Sequence, residues 1–282
     1  MELGINEVRL EGQHLFIGIL RNITERKRVQ QALAKHTHEL ARSNAELEQF
    51  ARIASHDLQE PLRKVQAFGD RIKEKYSHQI GAEGLDYLER MLNATVRMQA
   101  LIDGLLSFAR VNTRAQAFAT VDLNQVAQEV ITDLEIRIHD TQARVEIKPL
   151  PIIEAEALQL RQLLQNLIGN ALKFRRPGIV PEIRVSAHPV NVTTPADGAE
   201  NKRYEIIVED NGIGFDEKYL DRIFGIFQRL HGRHEYEGSG VGLAICRKIA
   251  EYHGGDITAR SQPGQGAKFI VTLPAIQSAR SP

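Results

Sequence analysis

The sequence predicts an α+β protein, with long helices in its N-terminal part and interspersed helices and strands in its C-terminal part. Between residue 23 and about residue 109, apolar residues recur at the three- and four-residue spacing of amphipathic helices. From about residue 117, helical and strand-like patterns follow one another without a regular strand–helix–strand repeat, which indicates a mixed sheet with a layer of helices. The 282 residues are enough for about two domains with cores of their own.

Charge and composition exclude several classes of protein. Lys plus Arg and Asp plus Glu both number 36, so no net field attracts nucleic acid or a membrane surface. The single cysteine, Cys246, excludes an internal disulfide and fits a reducing compartment. No apolar run approaches the roughly 18 residues of a membrane span, and no charged start followed by an apolar core indicates a signal peptide. We therefore expect a cytoplasmic protein that contacts neither nucleic acid nor a membrane.

Residues 1–22 alternate apolar and polar positions on either side of a turn at Glu11, Gly12 and Gln13. This pattern predicts a β-hairpin. Two strands alone are too few to be stable, so the hairpin is expected to be the remnant of a larger domain that lies upstream.

Residues 23–50 lack glycine and proline and predict a helix with a heptad repeat. His36 and Ser43 interrupt the apolar seam of this repeat. A parallel coiled coil is favoured because the seam continues without a break into the following helix; a long surface helix is the alternative. Polar seam positions weaken packing, which suits a linker that shifts between two states. The apolar seam residues are Val29, Leu33, Leu40, Leu47, Phe50 and Ala54.

The next helix carries a histidine, His56, on the side away from its apolar stripe. Asp57 follows it, and Pro61 removes the backbone hydrogen bond to the carbonyl of Asp57, which predicts a bend just below the histidine. A histidine held in water beside a carboxylate is placed to react; an ordinary surface histidine is the alternative. The stripe consists of Phe50, Ile53, Ala54, Leu58, Leu62, Val65, Phe68 and Ile72.

This helix is expected to run to about Tyr76 and to form an antiparallel helical hairpin with a second helix, 85–109, through a loop at 77–84. The apolar stripe of the second helix is wider than one partner helix can cover. The leftover apolar surface predicts that two hairpins associate as a dimeric four-helix bundle. Asn112 and Thr113 begin a short polar linker.

The C-terminal part is predicted to contain three helices and six strands. Asp122 is expected to cap the first of these helices. Pro189 to Lys202 is expected to be a polar loop between two strands. The predicted helices are 123–134, 157–174 and 241–253, and the predicted strands are 144–147, 152–153, 183–187, 204–208, 257–260 and 268–272.

Three polar or glycine-rich clusters stand out in this part, and the first lies near the end of the long helix. Asn166, Asn170 and Lys173 are spaced so that they share one helix face. Two amide oxygens and an ammonium on one face suit a magnesium ion that carries polyphosphate. A polar stripe on a surface helix is the alternative.

The other two clusters are rich in glycine. Asp210–Phe215 follows a strand, where a carboxylate can accept the exocyclic amine of adenine while Gly212 and Gly214 let the backbone approach the base; an ordinary strand-exit turn is the alternative. Gly238–Leu243 opens a helix, whose unpaired N–H groups and positive dipole end favour phosphate. All three clusters within one domain therefore predict a nucleotide site.

In this order, the clusters resemble the Bergerat-type nucleotide-binding domain that histidine kinases share with type II topoisomerases, Hsp90 chaperones and mismatch-repair ATPases. With His56 on the hairpin upstream, residues 45–274 resemble a sensor histidine kinase of a two-component system. Arg21 to Lys27 resembles the end of a PAS sensory domain, whose last strand usually closes with Asp-Ile-Thr, although Asn22 replaces the aspartate. The resemblance implies a PAS-like end (1–22), a coiled-coil linker (23–48), a dimerisation and phosphotransfer domain (45–114) and an ATP-binding α/β sandwich (115–277).

The resemblance also implies roles for individual residues. His56 would be the phosphoacceptor, and Asp57 would be the general base that orients the ring and takes its proton. Asn170 would hold Mg²⁺, Asp210 would bind adenine, and residues 228–238 would form a mobile lid. The other ATP-binding residues would be Asn166, Lys173, Gly212, Gly214, Phe224, Arg229, Gly238, Gly240, Gly242 and Leu243, of which Lys173 and Arg229 would face phosphate.

Two positions distinguish the branches of this superfamily. Its ATPases carry a glutamate where Asn166 stands, which deprotonates an attacking water, and an amide cannot do this. Family members that dephosphorylate their partner often have Thr or Asn four residues after the histidine. Here that residue is Glu60, which would repel a phosphoaspartyl group and disfavours phosphatase activity.

The sequence therefore predicts a homodimeric, ATP-dependent protein histidine kinase. It would autophosphorylate His56 and pass the phosphoryl group to an aspartate of a response regulator receiver domain. A non-catalytic scaffold that binds ATP only to lock a conformation, and an ATPase of the same superfamily, are the alternatives.

Overall fold

The computed structural model describes residues 2–10, 13–111, 118–193, 200–230, 236 and 238–277, with the backbone alone for many of residues 2–56. The chain divides into two compact units, Met1–Phe50 and Ala51–Pro282. In the first unit, strands β1 (Glu2–Leu10) and β2 (Gln13–Arg21) pair antiparallel along their whole length. This confirms the predicted hairpin.

One long helical segment, α1, extends from Thr24 to Arg110. Gly81 interrupts it with a φ of 74°, a left-handed conformation that glycine adopts without steric cost. The expected loop at 77–84 was therefore wrong in extent, because a single glycine provides the break and helical structure continues on both sides of it. Pro61 lies inside the helical segment, so the helix continues through it, and the bend expected just below His56 stays a prediction.

Contacts between the two arms of α1 define an antiparallel hairpin. The Gln59 side-chain amide donates a hydrogen bond of 2.7 Å to Asp103, and Lys73 forms an ion pair of 2.7 Å with Glu89. In each pair the two residues are equally far from Gly81 along the chain, so both pairs indicate the same register of one arm against the other.

The hairpin exposes apolar side chains along its length, as the sequence predicts. Phe68, for example, is 62% exposed in the single chain. An apolar surface of this size on a helical hairpin is the type that a second hairpin covers in a four-helix bundle. The exposed residues include Ile53, Leu58, Val65, Phe68, Ile72, Tyr76, Tyr87, Met91, Met98, Leu101 and Leu105.

Residues 119–277 form a two-layer α/β sandwich. The strands are β3 (Ala119–Asp122), β4 (Arg144–Ile147), β5 (Ile152–Ala155), β6 (Glu182–Thr193), β7 (Glu200–Asp210), β8 (Asp256–Gln262) and β9 (Gly266–Pro274). The helices are α2 (Leu123–Asp133), α3 (Glu135–Thr141), α4 (Ala157–Lys173), α5 (Leu220–Ile223) and α6 (Gly242–Tyr252), with a 3-10 turn at Glu217–Tyr219.

The larger sheet has the strand order β4-β6-β7-β9-β8. β4 and β6 are parallel, and the other neighbours are antiparallel, so the sheet is mixed as expected. One face of the sheet packs on α4 and α6, which explains the alternation of buried and exposed residues along β8. Asp122 caps α2 as predicted, because its carboxylate accepts from the backbone N–H of Asn124 at 2.8 Å.

The expectation of a polar loop at 189–202 was wrong over most of its length. β6 continues to Thr193 and β7 begins at Glu200, and the two pair antiparallel there. Proline is tolerated in this strand because β4 pairs with β6 only as far as Val185. Beyond that residue, β7 is the one neighbour of β6 among the described strands, and Pro189 lies on the open edge.

The sandwich contacts the last turns of the hairpin. Lys248 of α6 donates a hydrogen bond of 2.8 Å to the carbonyl of Phe108, and Gln159 of α4 donates one of 2.9 Å to the carbonyl of Val111. The predicted linker at Asn112 and Thr113 lies outside the described residues. Across the described ranges, the structure contains no helix with the length and apolar character needed to cross a membrane.

Candidate active site

A pocket of about 270 Å³ lies between the end of α4, the end of β7 and the start of α6. It brings the three sequence clusters together, although they are far apart along the chain. The predicted site residues that line it are Asn166, Asn170, Lys173, Asp210, Gly214, Arg229, Gly238, Gly240, Gly242 and Leu243.

Asp210 is the last residue of β7, and its carboxylate lies in the pocket. The backbone N–H groups of Gly212 and Ala267 donate to the same oxygen, Oδ1, at 2.8 and 3.3 Å. The other carboxylate oxygen is the one that can accept a hydrogen bond from a ligand. Burial raises the pKa of Asp210 from 3.8 to about 6, although the two backbone hydrogen bonds oppose this shift.

Two glycines allow the backbone to close tightly around Asp210. Gly266 has a φ of 94°, and a Cβ at this position would lie 1.9 Å from the carbonyl oxygen of Asp210. Gly214 has a φ of 61°, and its Cβ would lie 2.1 Å from the carbonyl oxygen of Gln262. Any other residue would push these segments apart, so both glycines are required by close approach.

The α4 cluster forms one wall of the pocket. The side-chain amide of Asn166 donates a hydrogen bond of 3.3 Å to the carbonyl of Gly242, which connects α4 to the first residue of α6. Asn170 lies one turn further along the same face, half-buried, and Lys173 lies near the end of the helix. The described residues contain no group of three or more His, Cys, Asp or Glu side chains that could hold a metal ion. A metal ion in this pocket would therefore be bound by a side-chain amide and by oxygens of the bound molecule.

Arg229 lines the pocket, but its hydrogen bonds reach the lid. Its guanidinium donates to the backbone carbonyls of Tyr236 and Gly238, the second at 2.8 Å. The structure therefore places Arg229 beside the expected phosphate region, in contact with the lid backbone.

Two predicted residues lie away from the pocket surface. Phe224 is only 4% exposed and belongs to the core, where the guanidinium of Arg247 lies over its ring. Gly212 shapes the loop through its N–H, which donates to Asp210. Phe224 therefore does not line this pocket, and its contact with a nucleotide stays a prediction.

Several pocket residues were missed by the sequence analysis. They are mostly apolar or aromatic. Ile213 and Phe215 lie within the predicted Asp210–Phe215 cluster, and Leu230 and Tyr236 lie within the predicted lid, but the sequence analysis assigned none of these side chains to the site. The missed residues are Phe174, Ile213, Phe215, Leu230, Tyr236, Ala267 and Phe269.

The start of α6, at one end of the pocket, lies against the hairpin. A Cβ at Gly104 would lie 3.1 Å from Val241 and 3.4 Å from the hydroxyl of Ser239, which belongs to the glycine-rich cluster. The register that pairs Gln59 with Asp103 places Gly104 opposite Leu58, two residues beyond His56 on the same arm. The side chain of His56 lies outside the described part of the chain, whereas that of Asp57 is exposed.

Comparisons with known proteins identify both domains. Residues 46–114 match the family described as "His Kinase A (phospho-acceptor) domain", and residues 155–277 match "Histidine kinase-, DNA gyrase B-, and HSP90-like ATPase". The structure also resembles that of full-length ShkA in complex with AMPPNP, with a TM-score of 0.58 and 27% identity, over 82% of this chain and 46% of that one.

Similar proteins include cyanobacterial phytochromes. Cyanobacterial phytochrome A of Nostoc sp. is 43% identical over 244 residues, and the phytochrome-like protein Cph1 of Synechocystis sp. is 38% identical over 242 residues. Each match covers 86% of this chain but only 30% and 31% of the relatives, so the chain spans about three tenths of their length. Residues 46–114 and 155–277 are thus the phosphoacceptor and ATP-binding domains of a sensor histidine kinase, and the chain belongs to that family.

Proposed function

We propose that the chain uses ATP to phosphorylate His56 and then passes the phosphoryl group to an aspartate of a response regulator. The observation that supports this most directly is the contact of Ser239 and Val241 with the hairpin at Gly104, which the hairpin register places opposite Leu58, two residues from His56. A site that presents the γ-phosphate there would bring it to the phosphoacceptor. Positioning of this kind supplies most of the catalysis in phosphoryl transfer.

The pocket residues would divide the binding of ATP between them. Asp210 would accept the adenine amine, the N-terminus of α6 and Lys173 would contact phosphate, and Asn170 would contribute an amide oxygen to Mg²⁺. Bound Mg²⁺ supplies charge neutralisation on the phosphate oxygens. Asn166 carries no carboxylate that could activate water, which favours transfer to a side chain over hydrolysis.

The proposed transfer of the phosphoryl group needs only ATP, His56 and Asp57. A neutral imidazole nitrogen of His56 would attack the γ-phosphorus, a P–N bond would form, and the bond between this phosphorus and the bridging oxygen of ADP would break. The exposed carboxylate of Asp57 would orient the ring and take the proton that the imidazole loses. The phosphoramidate formed is labile enough to phosphorylate an aspartate in turn.

The hairpin would also provide the dimer and the docking surface for the receiver domain. Domains of the His Kinase A family dimerise in general, and the exposed apolar stripe of α1 fits this. Glu60 forms an ion pair of 2.7 Å with Lys64 and extends one turn beyond His56. A carboxylate there would repel the acyl phosphate of a phosphorylated receiver, so we propose little phosphatase activity.

The nature of the phosphorylated product tests the proposed function. The chain is incubated with γ-labelled ATP and Mg²⁺, and the labelled protein is then treated with acid or with base. A phosphohistidine should lose its label in acid and keep it in base. ATP binding without labelling would support the scaffold instead, and release of phosphate without labelled protein would support an ATPase.

Affinity for ATP should depend on pH through Asp210. Because burial raises the pKa of this carboxyl to about 6, it becomes protonated as the pH falls through 6 and can no longer accept the adenine amine through a charged oxygen. Calorimetry should show the dissociation constant for ATP rising by up to about tenfold per pH unit below 6. Asp210→Asn, which carries no charge at any pH, should bind weakly throughout and lack this slope.

The carboxyl group of Asp210 should also make the stability of the fold depend on pH. Its contribution to stability should increase as the pH falls, whereas its contribution to ATP affinity should decrease. A carboxyl whose pKa is raised on folding binds more protons in the folded chain, so its contribution to stability is largest below pH 3.8 and is lost as the pH rises through 6. Between these values, the free energy of unfolding of the wild type relative to Asp210→Asn should fall with rising pH. Identical pH profiles for the two proteins would contradict the assignment of the raised pKa to Asp210.

Kinase output should respond to packing in the predicted coiled coil. His36 and Ser43 are exposed on the single helix and interrupt the heptad seam. Replacing both by Leu should stabilise one of the two packing arrangements of the linker. A stabilisation of about 1–3 kcal/mol would shift a balanced equilibrium between these arrangements by roughly 5- to 150-fold. The autophosphorylation rate should rise or fall accordingly while ATP affinity stays the same. A more stable dimer with an unchanged rate would show the linker to be a passive tether.

A further inference from the structure

Tyr236 connects the lid to the wall of the nucleotide pocket. Its ring packs on that of Phe174 with centroids 5.1 Å apart and 52° between the planes. The ammonium of Lys173 lies 4.2 Å from the centre of the same Phe174 ring. Both aromatic residues line the pocket. Phe174 therefore links a lid residue directly to a cation at the phosphate end.

The backbone around Tyr236 is held from two sides. Arg229 donates hydrogen bonds to the carbonyls of Tyr236 and Gly238. On the other side, a Cβ at Gly238 would lie 2.7 Å from Nζ of Lys173, so this ammonium lies directly against the backbone of Gly238. These contacts fix where the tyrosine ring can lie. They also bring both predicted phosphate-facing cations, Lys173 and Arg229, against the same lid segment.

We propose that Tyr236 is a positioning residue for the nucleotide. Its ring packs on Phe174 and so holds that ring in place as an aromatic wall of the pocket. The contact is between rings, so the aromatic ring rather than the hydroxyl carries the effect. This inference rests on the assignment of the pocket to ATP. An aromatic pair of this kind corresponds to about a 2- to 12-fold change in affinity.

The test compares three variants of the whole chain. Tyr236→Ala removes the ring, Tyr236→Phe keeps the ring without the hydroxyl, and Ile136→Ala removes an exposed apolar side chain of α3, outside the pocket, as a control. ATP binding is measured by calorimetry, and autophosphorylation is measured as a function of ATP concentration. Thermal unfolding without nucleotide shows whether the fold itself has changed.

We expect Tyr236→Ala to bind ATP about 2- to 12-fold more weakly and to raise KM more than it lowers kcat. Tyr236→Phe should restore most of the affinity, and Ile136→Ala should bind as the wild type does. Unchanged or tighter binding by Tyr236→Ala would overturn the proposal, and tighter binding would show that the ring occludes the pocket. Equal losses in Tyr236→Phe and Tyr236→Ala would also overturn it. Asp210→Asn in the same assay tests the pocket separately, because normal ATP binding by that variant would remove the assignment on which the inference rests.

Discussion

Replacing His56 by glutamine is expected to abolish ATP-dependent labelling of the chain. Glutamine is polar and compatible with a helix, but its amide nitrogen is not nucleophilic and cannot accept a phosphoryl group. ATP affinity should remain unchanged, because His56 lies on α1, outside the ATP-binding domain at residues 155–277. Incorporation of label from γ-labelled ATP and calorimetry of ATP binding measure the two quantities independently.

His78 provides a matched control on the same hairpin. It is exposed and lies in the same arm of α1, one residue beyond Ser77. His78→Gln should therefore leave both labelling and ATP affinity unchanged. Labelling that persists in His56→Gln would mean that another residue accepts the phosphoryl group, and loss of ATP binding in that variant would mean that the two domains are coupled more tightly than their separate positions indicate.

The elements that sequence predicted well are those with a local physical signal. The helical hairpin follows from the periodicity of its apolar residues, and the capping of α2 by Asp122 follows from one side chain at a helix start. The pocket clusters were predictable for the same reason. Asn166, Asn170 and Lys173 share a helix face by spacing alone, and the three clusters meet in one pocket as predicted.

What the sequence could not predict depends on contacts between distant segments. β6 and β7 extend through polar residues because they pair with each other, which no single strand pattern reveals. The aromatic wall that Phe174 and Tyr236 form brings together the end of α4 and the lid. Phe224 is aromatic and lies near the lid in sequence, yet tertiary packing places it in the core. The same type of residue can thus line the pocket or support it, and only the fold decides which.

Replacing Asn170 by aspartate should abolish kinase activity more completely than replacing it by alanine. Aspartate keeps an oxygen that could bind Mg²⁺, so loss of a ligand alone would predict the milder effect for aspartate. It also places a negative charge beside the triphosphate in a half-buried part of the pocket. Two like charges about 4 Å apart in an effective dielectric of about 20 repel by roughly 4 kcal/mol, which corresponds to about a thousandfold loss of affinity.

The comparison of these two variants separates charge from coordination. ATP affinity and autophosphorylation are measured for Asn170→Asp, Asn170→Ala and Asn93→Asp, which adds the same charge at an exposed position of the hairpin. Asn93→Asp should behave as the wild type, because a solvated charge outside the pocket is screened. If Asn170→Asp keeps full activity, Asn170 does not lie beside the metal and phosphates. If it loses no more than Asn170→Ala, the amide acts as a ligand, but the added charge is not close enough to the triphosphate to matter. Only a greater loss for aspartate than for alanine supports a metal-bound polyphosphate directly against this face of α4.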